Sequence, residues 1–236
     1  MNEQAGPPLR MKLSANETPG FIRFQKRMHN HILHHLLVIY ALGASPEQLE
    51  SAYRRNADYQ RPRRDRSSLT LNLADPEQFR QHLEKPEYYE DYLEFFKGEV
   101  TTKGIEKTLK EYVFAGTERA DDMLARMYGG LLHPIIHLGY GLEFQQTLIV
   151  AEALASAAIH DTFMAGICIP AEKAARERAS TSQVTMMSLV HHLQSEPTIL
   201  ASISEEETHN KLATDLFPRA GKLLIDIVSE YTVKPD

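Results

Sequence analysis

His29-Asn30-His31-Ile32-Leu33-His34-His35-Leu36-Leu37-Val38-Ile39-Tyr40-Ala41-Leu42-Gly43 places four histidines within seven residues and runs straight into an apolar segment. The pattern predicts a helix from Phe21 to about Leu42, stopped by Gly43 at the C′ position. Residues three and four apart on a helix share a face, with Cβ atoms about 5–6 Å apart. His31 therefore faces the same way as both His34 and His35, and either could join it on one metal ion. A second pair recurs far downstream, His133-Pro134-Ile135-Ile136-His137, again at i, i+4. Two such pairs point to a metal site and require a fold that brings the two segments together.

The segment around the second pair is unusual. Met127 to Phe144 is apolar yet contains Gly129, Gly130, Pro134, Gly139 and Gly141. Pro134 has no N–H to donate and pushes His133 away from helical geometry. His133 is thus expected at a cap or kink, with His137 one turn inside. Broken, glycine-rich apolar backbone costs stability, and such costs collect at functional sites.

Outward from these two segments the chain reads as helices. Ser45-Pro46-Glu47-Gln48 is a capping box with Pro at the first helical position. Asp75-Pro76-Glu77-Gln78 repeats the signal, and Pro86 opens a helix whose Tyr88, Tyr89, Tyr92, Phe95 and Phe96 form a core-facing stripe. Helices are expected over 104–114 and 117–128, the latter capped by Thr117, and over Glu143–His160 with Glu152 inside an apolar run. A polar helix or linker follows over Glu172–Ser182, then a helix from Gln183 to Gln194. A further one starts at Ser204-Glu205-Glu206-Glu207 and runs to Leu216, and a last begins at Pro218. No period-2 alternation or hairpin signal occurs, so the fold class is all-α. Residues 1–20 read as a flexible tail, and 21–236 as one multi-helix, bundle-like domain.

Composition narrows the function classes. With 42% hydrophobic residues the 236-residue chain can bury a substantial core. A formal net charge of −6 argues against a nucleic-acid binder. The local basic run Arg61-Pro62-Arg63-Arg64-Asp65-Arg66 reads as a solvated loop. Cys168 is the single cysteine, so neither an intrachain disulfide nor a thiolate metal site can form. Imidazole and carboxylate remain as ligands, which favours iron, manganese or zinc. The start of the chain lacks a signal-peptide core, and no apolar run is long enough to cross a bilayer. A soluble, cytoplasmic protein is expected, with no membrane partner.

The two histidine segments resemble the questin oxidase-like family of fungal oxidoreductases. The first block is His31, His34 and His35 with the run through Ala44-Ser45-Pro46, Leu49 and Tyr53. The second is Gly130-Leu131-Leu132-His133-Pro134-Ile135-Ile136-His137-Leu138-Gly139-Tyr140-Gly141-Leu142-Glu143-Phe144, followed by Ala151-Glu152-Ala153-Leu154-Ala155 and His160-Asp161. The resemblance covers roughly residues 21–217. It implies a largely helical oxidoreductase acting with dioxygen on polyketide-derived aromatics such as anthraquinones, by Baeyer–Villiger-type insertion or ring opening. It also implies either NADPH or a histidine-bound iron centre. Family members are longer, so the C-terminal half of the pattern is expected to be missing here.

Set against these implications, the residues suggest His31, His35, His133 and His137 as metal ligands, with His34 as the alternative partner of His31 and His160 as a further candidate. Glu152 is the candidate acceptor that orients a ligating imidazole. Tyr40 and Tyr140 are candidates to line an aromatic pocket. His82, His191, His192 and His209 lie in polar helical sequence and read as surface residues. No Gly-x-Gly-x-x-Gly follows a strand, so a Rossmann site lacks support from the residues themselves. Three functions compete: an iron oxygenase, a His/Asp-type metal-dependent phosphohydrolase suggested by His160-Asp161, and a shortened, non-catalytic helical relative.

Overall fold

A computed structural model describes residues 31–57, 71–178, 184–204 and 211–231. The expected tail (1–20), the start of the first helix, His29, the basic run at 61–66, His209 and most of the helix start after Ser204 lie outside the described residues. Among the described residues the regular structure is helical throughout, without a strand. The chain divides into two compact units, Met1–Asp161 and Thr162–Asp236.

In the first unit, α1 (Ile32–Ala41) ends in a full Schellman motif. Gly43, at φ +86°, donates to Tyr40 O, and Ala44 donates to Ile39 O, both at 2.9 Å. The chain turns at once into α2 (Pro46–Ala57). There Ser45 N–H donates to Gln48 Oε1 at 2.7 Å and Gln48 N–H to Ser45 Oγ at 3.3 Å, the reciprocal capping box. Asp75 caps α3 (Pro76–Gln81) by accepting from Gln78 N–H, and a 3₁₀ turn at Pro86–Tyr88 leads into α4 (Tyr89–Lys103). Helices α5 (Ile105–Tyr112) and α6 (Glu118–Met127, capped by Thr117) precede α7 (Gly129–Glu143) and α8 (Thr147–Ala158).

The aromatic stripe of α4 does form core: Tyr92 and Phe96 are wholly buried and pack with Phe79 and Tyr112. Tyr92 gives its hydroxyl proton to Phe79 O at 2.5 Å, and burial raises its pKa above the usual phenol value. Helix α8 lies against both α4 and α7. Its alanines at 151, 153, 155, 157 and 158 are fully buried and allow close approach on several sides. A separate apolar cluster joins Ile32, Leu33, Leu36 and Leu37 of α1 to Leu49 and Ala52 of α2 and to Ile149 of α8. Each buried leucine or isoleucine among them contributes about 1.5–3 kcal/mol. This cluster fixes α1 beside α7.

One expected helix starts later than the sequence suggests, at Thr147. Glu143–His160 reads as continuous, but the structure breaks at Gln145, which adopts φ +50°, while Gln146 N–H donates to Gly141 O at 2.8 Å. The reversal depends on close packing, because a Cβ on Gly141 would meet Val150 Cγ2 at 2.8 Å and Val150 N at 2.9 Å. The residues themselves give no stop signal, since Glu143, Gln145 and Gln146 are good helix formers.

The second unit holds α9 (Ala165–Glu177), α10 (Met186–Ser195), α11 (Pro197–Ser202), a π-helical turn at Leu212–Leu216 and α12 (Phe217–Val228). Helix α9 begins well before Glu172 and carries Pro170 inside it. Ile199, Leu216 and Ala220 form this unit's small buried cluster. Among the described residues no helix is long and apolar enough to cross a membrane.

Candidate functional site

Backbone geometry at the head of α7 sets the site. Gly130, Leu131 and Leu132 take left-handed conformations, with φ of 53°, 56° and 66°. An L-residue with a side chain adopts this region at a cost of about 1–2 kcal/mol. Helical geometry then resumes, and Pro134 sits in its first turn, where a missing N–H loses no hydrogen bond. From there His133, His137, Tyr140 and Phe144 follow one another along a single face at i, i+4, i+7 and i+11. That face meets α1.

The two distant histidine segments converge. His31 Nε2 lies 2.7 Å from His133 Nε2, and His34 Nε2 lies 3.0 Å from His137 Nδ1. The pairs are neighbours, with the rings of His31 and His34 centred 5.9 Å apart. Exposure falls along the row, from exposed His31 through half-buried His133 and His34 to buried His137. His34 also stacks on Tyr140, centroids 4.8 Å apart and 13° from parallel. Phe144 stacks on Tyr140 in turn, with Tyr40 tilted beside it.

Hydrogen-bond chemistry assigns the ring protons. His133 Nδ1 lies 2.7 Å from Gly130 O. A carbonyl can only accept, so Nδ1 carries the proton and Nε2 is bare. His137 Nε2 lies 3.1 Å from Glu152 Oε2. The carboxylate accepts, so Nε2 is protonated, and in the neutral ring Nδ1 is bare. It follows that His31 Nε2–H donates to His133 and His34 Nε2–H donates to His137. Burial, together with the neighbouring rings of His137, His31 and His133, depresses the His34 pKa to about 3. Desolvation likewise lowers that of His133. His34 and His133 are therefore neutral at ordinary pH.

His34 and His35, equivalent partners for His31 by spacing, part company in the structure. His34 turns into the row, whereas His35 is exposed and its Nδ1 lies 3.2 Å from Asn56 Nδ2 on α2. His35 instead borders a separate shallow cavity of about 490 Å³ with Ile39, Leu42, Gln48, Ser51 and Arg55. His160 is buried, and its ring lies on the backbone of Gly129 and Gly130. Glu152 stands behind His137. Asn56, the Gly130 carbonyl and buried Arg126 were not singled out by sequence reasoning. Arg126 shows only an ordinary i, i+4 pairing with Asp122, and a backbone carbonyl leaves no sequence signal.

The donor set suits a divalent transition metal once His31 and His34 move their ring proton to Nδ1, since each pair would then direct two unprotonated imidazole nitrogens at a common space. Two nitrogens on one tetrahedral ion stand about 3.3 Å apart, given metal–nitrogen bonds of about 2.0–2.1 Å. The observed 2.7 and 3.0 Å separations would need to open by only a few tenths of an ångström. Among the described residues no group of three or more His, Cys, Asp or Glu side chains closes around one point. The arrangement is two neighbouring imidazole pairs.

Both histidine segments lie within a family match. A family model described as Questin oxidase-like matches residues 28–236. An oxidoreductase, AflY, of Aspergillus parasiticus is 34% identical over 97% of this chain and 52% of its own length. The Baeyer-Villiger monooxygenase dmxR6 of a Cryptosporiopsis species is 39% identical over 88% of this chain and 47% of its own. A questin oxidase of Aspergillus terreus is 44% identical over 57% of this chain and 30% of its own. The chain thus spans about half the length, or less, of these curated relatives. By the extent of the match and the site it includes, the chain belongs to the questin oxidase-like family.

Proposed function

We propose that this chain carries the imidazole centre of an iron-dependent oxygenase that oxidises a flat, phenolic or quinone-type aromatic. The observation that carries the reading is the convergence of His31 with His133 and of His34 with His137. The relatives' names, oxidase and Baeyer-Villiger monooxygenase, support the reaction class.

Bound iron would supply activation of dioxygen and polarisation of a substrate oxygen. The chain's own residues do the rest. Gly130 O and Glu152 hold His133 and His137 in the tautomers that offer Nε2 and Nδ1 to the metal. Tyr140 and Phe144 form a stacked aromatic wall beside His34, suited to the face of a polycyclic substrate. Insertion of one oxygen atom from dioxygen, with the other leaving as water, consumes two electrons and two protons. NADPH is the donor implied by the family resemblance.

Metal analysis of the purified protein tests this reading. Stoichiometric iron is expected, with uptake lost in His34→Ala and His137→Ala but retained in His35→Ala. Unchanged iron content in the first two variants would refute the ligand assignment.

A further inference from the structure

We propose that Arg126, His160 and Gly130 form a positioning chain that holds His133 in the tautomer presenting Nε2 to the site. The inference rests on the role proposed for His133. The chain starts near the end of α6 and reaches the segment just after α8. Arg126 is buried, and its Nη1 donates to His160 O at 2.5 Å and to Glu84 Oε1 at 3.1 Å. Its Nε and Nη2 engage both carboxylate oxygens of Asp122, at 2.7 and 3.2 Å. Glu84, itself left-handed at φ +64°, donates its N–H to Ala158 O at 2.9 Å. The guanidinium and this contact anchor the segment that bears His160.

His160 in turn seats the left-handed turn. A Cβ built on Gly130 would lie 2.3 Å from His160 Cε1 and 2.5 Å from its Nε2. On Gly129 it would lie 2.9 Å from His160 Cβ and 3.1 Å from Asp161 O. The imidazole thus occupies the space that a side chain at 130 would need, and His160 Cβ with Asp161 O the space at 129, beside the peptide whose carbonyl accepts from His133 Nδ1.

Side-chain packing does not account for the turn. Leu131 and Leu132 adopt a costly conformation while remaining 83% and 45% exposed, so their own burial offsets little. What the turn accomplishes is to direct Gly130 O at His133.

Long-range proton–nitrogen correlation spectra of the imidazole rings, recorded on metal-free full chain, read this directly. The expected wild-type spectrum shows His133 solely as the Nδ1–H tautomer. In Gly130→Ala and His160→Ala the signal should shift towards the Nε2–H form, while Gly139→Ala should leave it unchanged, because a Cβ there meets nothing within 4 Å. Cobalt(II) titration provides the second readout. Both site variants should raise the dissociation constant about ten- to hundredfold, and that effect should vanish in a His133→Ala background. If Gly130→Ala fails to fold, His160→Ala, which only removes atoms, decides the question. Folded variants that keep the wild-type His133 signal would overturn the proposal. Failure of the wild type to bind cobalt would instead sink the metal reading and leave the tautomer spectra to judge the positioning chain.

Discussion

At the scale of single residues, the site depends on which nitrogen of each ring holds its proton. Glu152 accepts from His137 Nε2, and replacing it with alanine frees that ring to change tautomer. Cobalt affinity is expected to fall about ten- to hundredfold in Glu152→Ala, measured by titration, with a smaller loss in Glu152→Gln, whose carbonyl can still accept. The buried imidazoles also predict a pH dependence. His34 and His160 are depressed from 6.5 to about 3 and about 4, in both cases chiefly by desolvation. The unfolded chain therefore binds more protons than the native one below pH 6.5. Stability is full above that value and is lost as pH falls towards the folded pKa values. Urea unfolding of metal-free protein at pH 7.5 and pH 5 should differ by about 1–2 kcal/mol per imidazole, the acidic sample being weaker.

At the scale of elements, the head of α7 and its junction with α8 carry the strain and the tight packing. Leu131 is exposed and left-handed, a conformation glycine adopts without penalty. Leu131→Gly should stabilise the protein by about 0.5–1 kcal/mol, seen as a higher urea midpoint, because relief of strain exceeds the added chain entropy. Gly141 gives the opposite sign. Its missing Cβ lets α7 and α8 approach at Val150, and Gly141→Ala should cost about 1–3 kcal/mol through overpacking. Thermal unfolding of the two variants beside wild type checks both directions. Much at this scale was legible in advance, because the caps at Ser45, Asp75 and Thr117 are short-range motifs whose hydrogen bonds form within one turn. The break at Gln145 was not, since Gln145 and Gln146 suit a helix and the role of Gly141 depends on its packing against Val150.

At the scale of the molecule, the first unit is built on α8, whose small, fully buried side chains lie against α4 and α7. The aromatic core beside it is the larger stabilising mass. Phe96 is wholly buried against Phe79, Tyr92, Phe95 and Tyr112. Phe96→Ala should cost about 3–5 kcal/mol in equilibrium unfolding, the range for a large cavity in such a core. The histidine row lies outside that core, on the smaller cluster that joins α1 to α2 and Ile149. His34→Ala is accordingly expected to weaken cobalt uptake with little loss of stability, as read by comparing titration with melting.

Helical class, the caps, the aromatic stripe and the two imidazole-bearing segments follow from the sequence itself, because each is set by spacing of 3.6 residues or by contacts within a few positions. Choice among equivalents does not. His34 and His35 are both correct partners for His31 by spacing, and only the way α1 lies between α2 and α7 sends one to His137 and the other to Asn56. The tautomers of His133 and His137, and the pressure of His160 on Gly130, likewise depend on groups brought from elsewhere in the chain. Local spacing decides which faces a residue can occupy; long-range packing decides what it meets there.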